Sequence, residues 1–473
     1  MAAHVRQEET GAAAVSIASS ETAHVLVLGA GMAGIACARA LVDGGITDVL
    51  VLEGQGRVGG RVACERFAGH IVELGANWIH GNPPQPLWAL AKKVRLATLS
   101  DNKLQDSDRV FAAESGSRPV PSRLLRWSHF EAAYDRFEKE KRRMKTAGAP
   151  DELMSEVFSR CGWTPSSALD QLVDWVGIDW DYATPSNRSG TLAKPDEREL
   201  WGDVDHIVCD PRGYAEIIRE LAADLLESRV KLNCTVVQVQ QLDDGSMSVL
   251  VQDSGGGGSA AAWREYRARA VVSTFSQGVL DQCIRAQLIK FVPELPDWKV
   301  QAIRNIQMSH YCKVFLRFAS TFWDNVETIY FAASERGHWP TWQNLNALPA
   351  FRGSNILIAT LTGDNALRAC AMSDAEVQEE ALGVLKTMYP AATEPTDFLF
   401  TRWPTDRWSF GSYSCFGLGT GPRDAELLAK PVGNLYFSGE ATHAVHFGTL
   451  HGALLAGVAT ARALLASPVL SRP

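Results

Sequence analysis

Positive charge, patterned cysteine and uninterrupted apolar runs are all scarce in this chain, and each scarcity closes off a class of function. Its 473 residues carry 46 lysines and arginines against 54 aspartates and glutamates, a formal net charge of −8. Gripping a nucleic-acid backbone needs a clustered positive surface, so no nucleic-acid partner is expected. The acidic balance suits a cationic ligand better, although a solvated acidic surface is its commoner origin. The nine cysteines (Cys37, Cys64, Cys161, Cys209, Cys234, Cys283, Cys312, Cys370 and Cys415) are odd in number and show no CxxC spacing. Neither a disulfide framework nor a zinc site is indicated, and no metal is expected. The one long apolar stretch, Gly452 to Leu470, is interrupted by Arg462 and flanked by His451, so it reads as a buried helix and not a membrane span.

Met1 to Ala23 contains Glu8, Glu9 and Glu21 but no apolar core of the kind a secretory signal requires, and reads as a disordered leader. The terminal Ser471-Arg472-Pro473 approximates a peroxisomal address without matching it, so the expected location is cytoplasmic or peroxisomal, not secreted. Apolar residues make up 46% and charged residues 21%, the balance of a globular protein. The length calls for two domains, and no internal repeat is visible.

His24 to Leu28 reads as a strand, Gly29 to Gly34 as a Gly-rich turn, Met32 to Leu41 as a helix, and Asp48 to Leu52 as a second strand ending in Glu53. Between Leu104 and Lys145, Leu124, Leu125, Trp127, Phe130, Ala133, Tyr134 and Phe137 recur at helical spacing within a dense field of charge, predicting an amphipathic helical region. Tyr214 to Leu226 reads as a further helix, Val230 to Val239 with Met247 to Gln252 as a hairpin, and Gly255 to Gly258 as a flexible loop. Strands at Ala268 to Thr274, Lys313 to Phe318 and Asn355 to Leu361 predict a mixed sheet in the later half, separate from the parallel sheet.

The chemistry starts at Gly29, Gly31 and Gly34. These three occupy a GxGxxG pattern with a strand before it and a helix after it: the first permits a tight turn, the second lets backbone approach a pyrophosphate, and the third lets helix and strand pack closely. The helix N-terminus then offers its partial positive charge to phosphate. Glu53, about twenty residues on, stands where an acid accepts hydrogen bonds from a ribose and would repel a 2′-phosphate. Next comes Arg57-Val58-Gly59-Gly60-Arg61, two guanidinium forks around a turn of bare amides, a second arrangement suited to phosphate.

In this order and spacing the three motifs resemble the flavin-containing amine oxidase family, and most closely its polyamine oxidases. The resemblance continues through Glu73-Leu-Gly-Ala-Asn-Trp-Ile-His-Gly81, Tyr311-Cys312-Lys313, Tyr436-Phe-Ser-Gly-Glu-Ala-Thr442 and His451-Gly-Ala-Leu-Leu-Ala-Gly457, nearly the whole chain after residue 24. It implies an α/β plus α+β fold: a Rossmann-type FAD-binding domain from residues 24–101, 206–291 and 432–468, interleaved with a substrate domain of mixed sheet and helices from 102–205 and 292–431. The implied cofactor is FAD. Ser412 stands where monoamine oxidases carry a flavin-linking cysteine, so the attachment is expected to be non-covalent.

The resemblance also assigns roles. Gly75, Ala76, Asn77 and Trp78 pass beside the flavin ring. Val236 and Val237 lie against adenine, and Gly439 and Glu440 meet the ribityl chain. Backbone amides at Thr449 and Leu450 face the pyrimidine edge, where negative charge develops on reduction. Lys313 holds a water against flavin N5; judged by its apolar strand alone, the same lysine snorkels or pairs. His80 lines the substrate tunnel, with aromatic walls at Trp180, Tyr182, Tyr311 and Tyr413 able to surround positive charge. Asp181 meets a distal ammonium, and Thr449 replaces the tyrosine of the monoamine oxidases, leaving room for a long flexible amine. The implied reaction passes a hydride from a carbon flanking a secondary amine of spermine, spermidine or an acetylated form to the flavin. It yields an aminoaldehyde, a shorter amine and, with dioxygen, hydrogen peroxide. A monomer or weak oligomer without membrane attachment is expected. Another flavin amine or amino-acid oxidase, or an FAD-binding scaffold without turnover, remains as an alternative.

Overall fold

A computed structural model describes residues 17–101, 109–192, 201–202, 204–253 and 262–470. Residues 1–16 of the expected leader, the Gly255–Gly258 loop and Ser471-Arg472-Pro473 lie outside them.

Val25, Leu26, Val27 and Leu28 are all 0% exposed. An unbroken apolar run of this kind suits a strand covered on both faces. The strand Ile17–Leu28 is flanked in parallel by Val49–Leu52 on one side and Ala262–Ser273 on the other. Because side chains alternate along a strand, Val25 and Val27 pack with Ile35 and Leu41 of the first helix and Ala461 of the last. Leu26 and Leu28 enter the opposite core with Val236, Val249 and Val279. Val230–Lys231 extends the sheet beyond Val49–Leu52, and Leu435–Phe437 joins the end of Ala262–Ser273 in parallel. The antiparallel pair Cys234–Gln241 and Met247–Asp253 lengthens it on that side, with Lys290–Val292 at the edge. The first helix, Met32–Asp43, and the last, Leu450–Leu465, cover one face together. They cross so closely that a Cβ on Gly457 would lie 2.3 Å from the carbonyl oxygen of Ala33.

Three expectations change here. The strand Ile17–Leu28 starts inside the stretch read as leader, because residues 19–23 find ladder partners in Arg264 to Ala268. The strand Ala262–Ser273 belongs to the large parallel sheet and not to a separate later one; Thr274 fastens its end by donating from Oγ1 to the carbonyl of Leu28 at 2.8 Å. The helical region expected from residue 104 starts at Trp127, since Arg109–Ala112 pairs in parallel with Thr328–Ala332 and Pro119 and Pro121 intervene. That helix, Trp127–Ala147, ends at Gly148 in the left-handed region (φ 60°).

The second large sheet runs in the order Asp397–Phe400, Tyr311–Arg317, Ile356–Thr362, Thr341–Asn344, Thr328–Ala332 and Arg109–Ala112, antiparallel except for its last pair. A three-stranded sheet places Asp205–Val208 between Trp78–His80 and Thr98–Asp101. Among the described residues no helix is long and apolar enough to cross a membrane.

Candidate active site

Ligands of open α/β sheets sit outside the carboxyl ends of the parallel strands. Leu28, Leu52, Ser273 and Phe437 end four such strands, and Gly29, Glu53, Thr274 and Gly439 just beyond them line a single cavity of about 910 Å³. That volume is near the top of the range for ligand cavities, about 300–1,000 Å³.

The end built by the first motif fits a dinucleotide. Gly31 is the N-cap of helix Met32–Asp43 and has no side chain to satisfy the first amides, which leaves them to a ligand. In the direction a Cβ would take from Gly31 the nearest atom is 4.0 Å away, so bare backbone faces open space. Gly29 makes the turn at φ +110°. Gly34 does not line the cavity; a Cβ there would stand 1.9 Å from the carbonyl oxygen of Gly29, a close approach only glycine permits. The buried Glu53 carboxylate accepts from the amides of Ala30 (2.7 Å) and Gln55 (2.8 Å). Burial pushes its pKa up while these amides draw it down. Val236 and Val237 line the cavity beside Cys234, Thr235 and Ile289.

The two arginines of the second motif part company. Arg57 does not reach the cavity; its guanidinium turns back to donate to the carbonyls of Gly60 (2.9 Å) and Val58 (3.4 Å), holding the turn that presents Gly59 and Gly60. Arg61 lines the cavity and donates to Glu440 at 2.6 Å and to the Ser412 carbonyl at 3.1 Å. Glu440 also accepts from the Ser414 hydroxyl and from the amides of Ser414 (3.2 Å) and Gly448 (2.7 Å), so it ties three later segments of chain to Arg61.

Gly75, Ala76, Asn77 and Trp78 line the cavity, as do Ser412 and Leu450. Lys313 lies beneath this wall and is not itself exposed to the cavity. Its Nζ donates to the carbonyls of Glu73 and Gly75, both at 2.9 Å, and stands 5.4 Å from the centre of the Trp78 ring. Burial lowers the Lys313 pKa to about 8 and raises that of Glu73 to about 7.

His80, Trp180, Asp181, Tyr182, Tyr311, Tyr413 and Thr449 come together on the same cavity. Trp180 donates from Nε1 to the Tyr311 hydroxyl at 3.1 Å, and the Tyr413 hydroxyl donates to the Asp181 carbonyl at 2.8 Å. His80 and Asp205 are register partners on neighbouring strands, which brings Nδ1 to 2.9 Å from the carboxylate. Thr449 caps the last helix, accepting from the Gly452 amide at 3.0 Å and donating to the His446 carbonyl at 2.8 Å.

Sequence reasoning missed one wall. Trp127, Glu131, Tyr134, Glu138 and Arg142 recur every third or fourth residue along one helix and line the cavity, while Phe130, Ala133, Phe137 and Met144 bury the adjoining stripe. The spacing was available as a signal, because the first stripe is polar and aromatic beside an apolar one. Trp201, which stacks on His446 at 4.7 Å and meets His451 edge-on at 5.1 Å, carries no local signal. Among the described residues no group of three or more His, Cys, Asp or Glu is placed to hold a metal ion.

A parallel sheet with a glycine turn at its carboxyl edge, sharing a cavity with an aromatic and acidic wall, defines a dinucleotide-dependent enzyme that acts on a small polar molecule. Residues 32–465 match the model of the flavin containing amine oxidoreductase family. The chain belongs to that family and is an FAD-dependent amine oxidase. It is 30% identical to polyamine oxidase 1 of Zea mays over 95% of this chain and 92% of that protein. It is likewise 30% identical to polyamine oxidase 7 of Oryza sativa subsp. japonica, over 93% and 94%. In fold it is similar to putrescine oxidase bound to putrescine, with a TM-score of 0.72 and 20% identity over 95% of this chain and all of the other.

Proposed function

We propose that this chain is a polyamine oxidase that acts on a secondary amine of spermine, spermidine or an acetylated relative, and that the cavity residues divide the work. The carrying observation is the charge of the wall: seven carboxylates line the cavity (Glu53, Glu131, Glu138, Asp181, Asp205, Asp406 and Glu440) against three arginines (Arg61, Arg142 and Arg407). Glu53 is held by backbone amides, Glu440 by Arg61, Glu138 by Lys141 and Asp205 by His80, and the carboxylates of the wall still outnumber its cations, which favours a cation with several amines. Bound FAD would supply the acceptor for a hydride from the carbon beside nitrogen and the route by which the electrons reach dioxygen as hydrogen peroxide.

Gly31 and the amides that open the first helix hold the pyrophosphate, Glu53 the ribose hydroxyls, and Val236 and Val237 the adenine. Arg61, Gly439 and Glu440 fix the middle of the cofactor, and Thr449 and Leu450 present amides to its pyrimidine edge. Trp180, Tyr182, Tyr311 and Tyr413 surround the reacting carbon and exclude water, while Asp181 and the His80–Asp205 pair orient the nitrogens. Lys313 acts through Gly75 and Trp78, keeping a proton close to the wall with its pKa lowered by burial to about 8. The chain divides into an FAD domain of residues 17–101, 206–291 and 432–468, its start moved from 24 to the beginning of the strand Ile17–Leu28, and a substrate domain of the intervening pieces. A cytoplasmic or peroxisomal site of action as a monomer or weak oligomer suits this reading.

Anaerobic titration of the yellow protein with spermine, N-acetylspermine and a simple monoamine tests it through flavin bleaching at about pH 8, where amines begin to shed protons. Rapid bleaching by the polyamines and slow or no bleaching by the monoamine is expected. A flavin-loaded protein bleached by the monoamine alone, or by none of the three, overturns the reading.

A further inference from the structure

Away from the cavity, two thiols meet that no part of the amine chemistry uses. Cys312 is fully buried in the strand Tyr311–Arg317, and its Sγ lies 3.7 Å from that of Cys370, the last residue of helix Gly363–Cys370. The two are 58 positions apart in sequence, and the fold alone brings their sulfurs into contact. Cys370 is only half-buried whereas Cys312 is fully buried, so Cys370 is the more open of the two to a small solute.

The surroundings of Cys370 favour its thiolate. Arg402 donates to the carbonyls of Cys370 (2.9 Å) and Ala369 (3.3 Å) and is held by Asp374 at 2.7 Å. A helix C-terminus by itself disfavours a negative charge. The Cys312 thiol as hydrogen-bond donor, with the Arg402 guanidinium, outweighs the opposing effect of burial and holds Cys370 below the ordinary thiol value. Burial instead pushes Cys37 and Cys283 up to about 12 and raises Cys64, Cys161, Cys209 and Cys415. No third His, Cys, Asp or Glu joins the pair to make a metal group among the described residues.

We infer that Cys312 and Cys370 form an oxidative modification site, a dithiol that hydrogen peroxide converts to a disulfide, with Cys370 attacking and Cys312 resolving. The Cys370 thiolate attacks one peroxide oxygen; an S–O bond forms, the O–O bond breaks, and the departing hydroxide takes a proton to become water. Sulfur loses two electrons and peroxide gains them. The Cys312 sulfur then attacks Cys370; the S–S bond forms, the S–O bond breaks, and hydroxide leaves as water with the Cys312 proton. Two thiols and one peroxide become one disulfide and two waters. Bonding closes the 3.7 Å gap to about 2.05 Å. It ties a helix outside the cavity to the strand that carries Tyr311 and Lys313 on either side of Cys312. As the source of peroxide this rests on the oxidase reading, but the chemistry of the pair does not.

The reduced holoenzyme is therefore treated with added hydrogen peroxide, alkylated under denaturing conditions and digested for mass spectrometry. A peptide pair joined through Cys312 and Cys370, two hydrogens lighter than the free pair and restored by dithiothreitol, is expected. In Cys312→Ser a dimedone-reactive sulfenic acid builds up at Cys370, and in Cys370→Ser the Cys312 thiol survives the same dose. Both cysteines remaining alkylated in the wild type, or Cys312 oxidising equally fast in Cys370→Ser, overturns the inference. Because the peroxide is added, either result stands whether or not polyamines bleach the flavin.

Discussion

Lys313 and Glu73 meet under the cavity wall, and burial drives both away from their charged forms. The consequences for stability have opposite signs. Folded Lys313 has a pKa of about 8 against an ordinary 10.5, so between those values the unfolded chain binds more protons and stability rises with pH. Folded Glu73 has a pKa of about 7 against 4.5, so from 4.5 to 7 the folded chain holds the extra proton and stability falls as pH rises. Lys313→Met should reduce the gain in melting temperature between pH 8 and 10, leaving the part due to Lys299, which burial lowers to about 7, and slow flavin reduction by about 10²-fold. Thermal melts across that range and stopped-flow bleaching check the two halves separately. On the same cavity, Arg61→Ala removes the charged partner of the buried Glu440. It should cost about 1.5 to 3 kcal/mol and yield protein depleted in flavin, read from the ratio of yellow absorbance to protein. The glycines and Glu53 could be placed from sequence because each answers a local requirement, a turn, a close approach or a strand end. The turned-back Arg57 and the covered Lys313 could not, since where a long side chain points depends on carbonyls supplied by the folded turn and by Glu73 and Gly75.

Trp180 and Asp181 reach the cavity from an unusual piece of backbone. They directly follow a π-helical turn, Trp175–Asp179, a geometry that widens a helix and is frequent at functional sites. Arg336 fastens that turn, meeting Asp174 and Asp179 at 2.7 Å each, and Asp174 also accepts from the Trp163 indole at 2.7 Å. Arg336→Met would leave two buried carboxylates facing each other and should cost about 3 to 5 kcal/mol, measured by urea denaturation. If the turn then shifts Trp180, the KM for polyamine rises more than kcat falls; Arg336→Lys should recover part of both. Nothing in the sequence forecasts this element, because a π-turn has no composition of its own and Arg336 arrives from far along the chain. The helix Trp127–Ala147 is the contrary case: periodicity announced it, and only its start was misjudged, where the strand Arg109–Ala112 finds a partner more than 200 residues downstream.

The cavity draws its lining from segments spread between Gly29 and Ala453, so the cofactor and the fold stabilise each other. A ligand that binds only the folded state at 1,000 times its dissociation constant adds about 4 kcal/mol. Flavin-stripped protein should therefore melt lower, and added FAD should restore the transition. FMN should not, since it has no adenosine to engage Glu53, Val236 and Val237; melting curves with each cofactor separate the two. The α/β arrangement was legible from the βαβ motif at the start. The joining of Ala262–Ser273 and Leu435–Phe437 to the same sheet was not, since parallel neighbours distant in sequence leave no mark on local pattern.

The crossing of Gly457 over Ala33 puts a clock on the making of this protein. Ribosomes add about 5 to 20 residues per second, so the first helix emerges and waits on the order of half a minute or longer for the one that covers it. During that wait Ile35 and Leu41 have Val25 and Val27 beneath them but lack the cover that Ala461 brings. Damage late in the message is thus as harmful as damage early: a nascent chain released a few dozen residues short leaves its opening turn of glycines without the floor on which it rests.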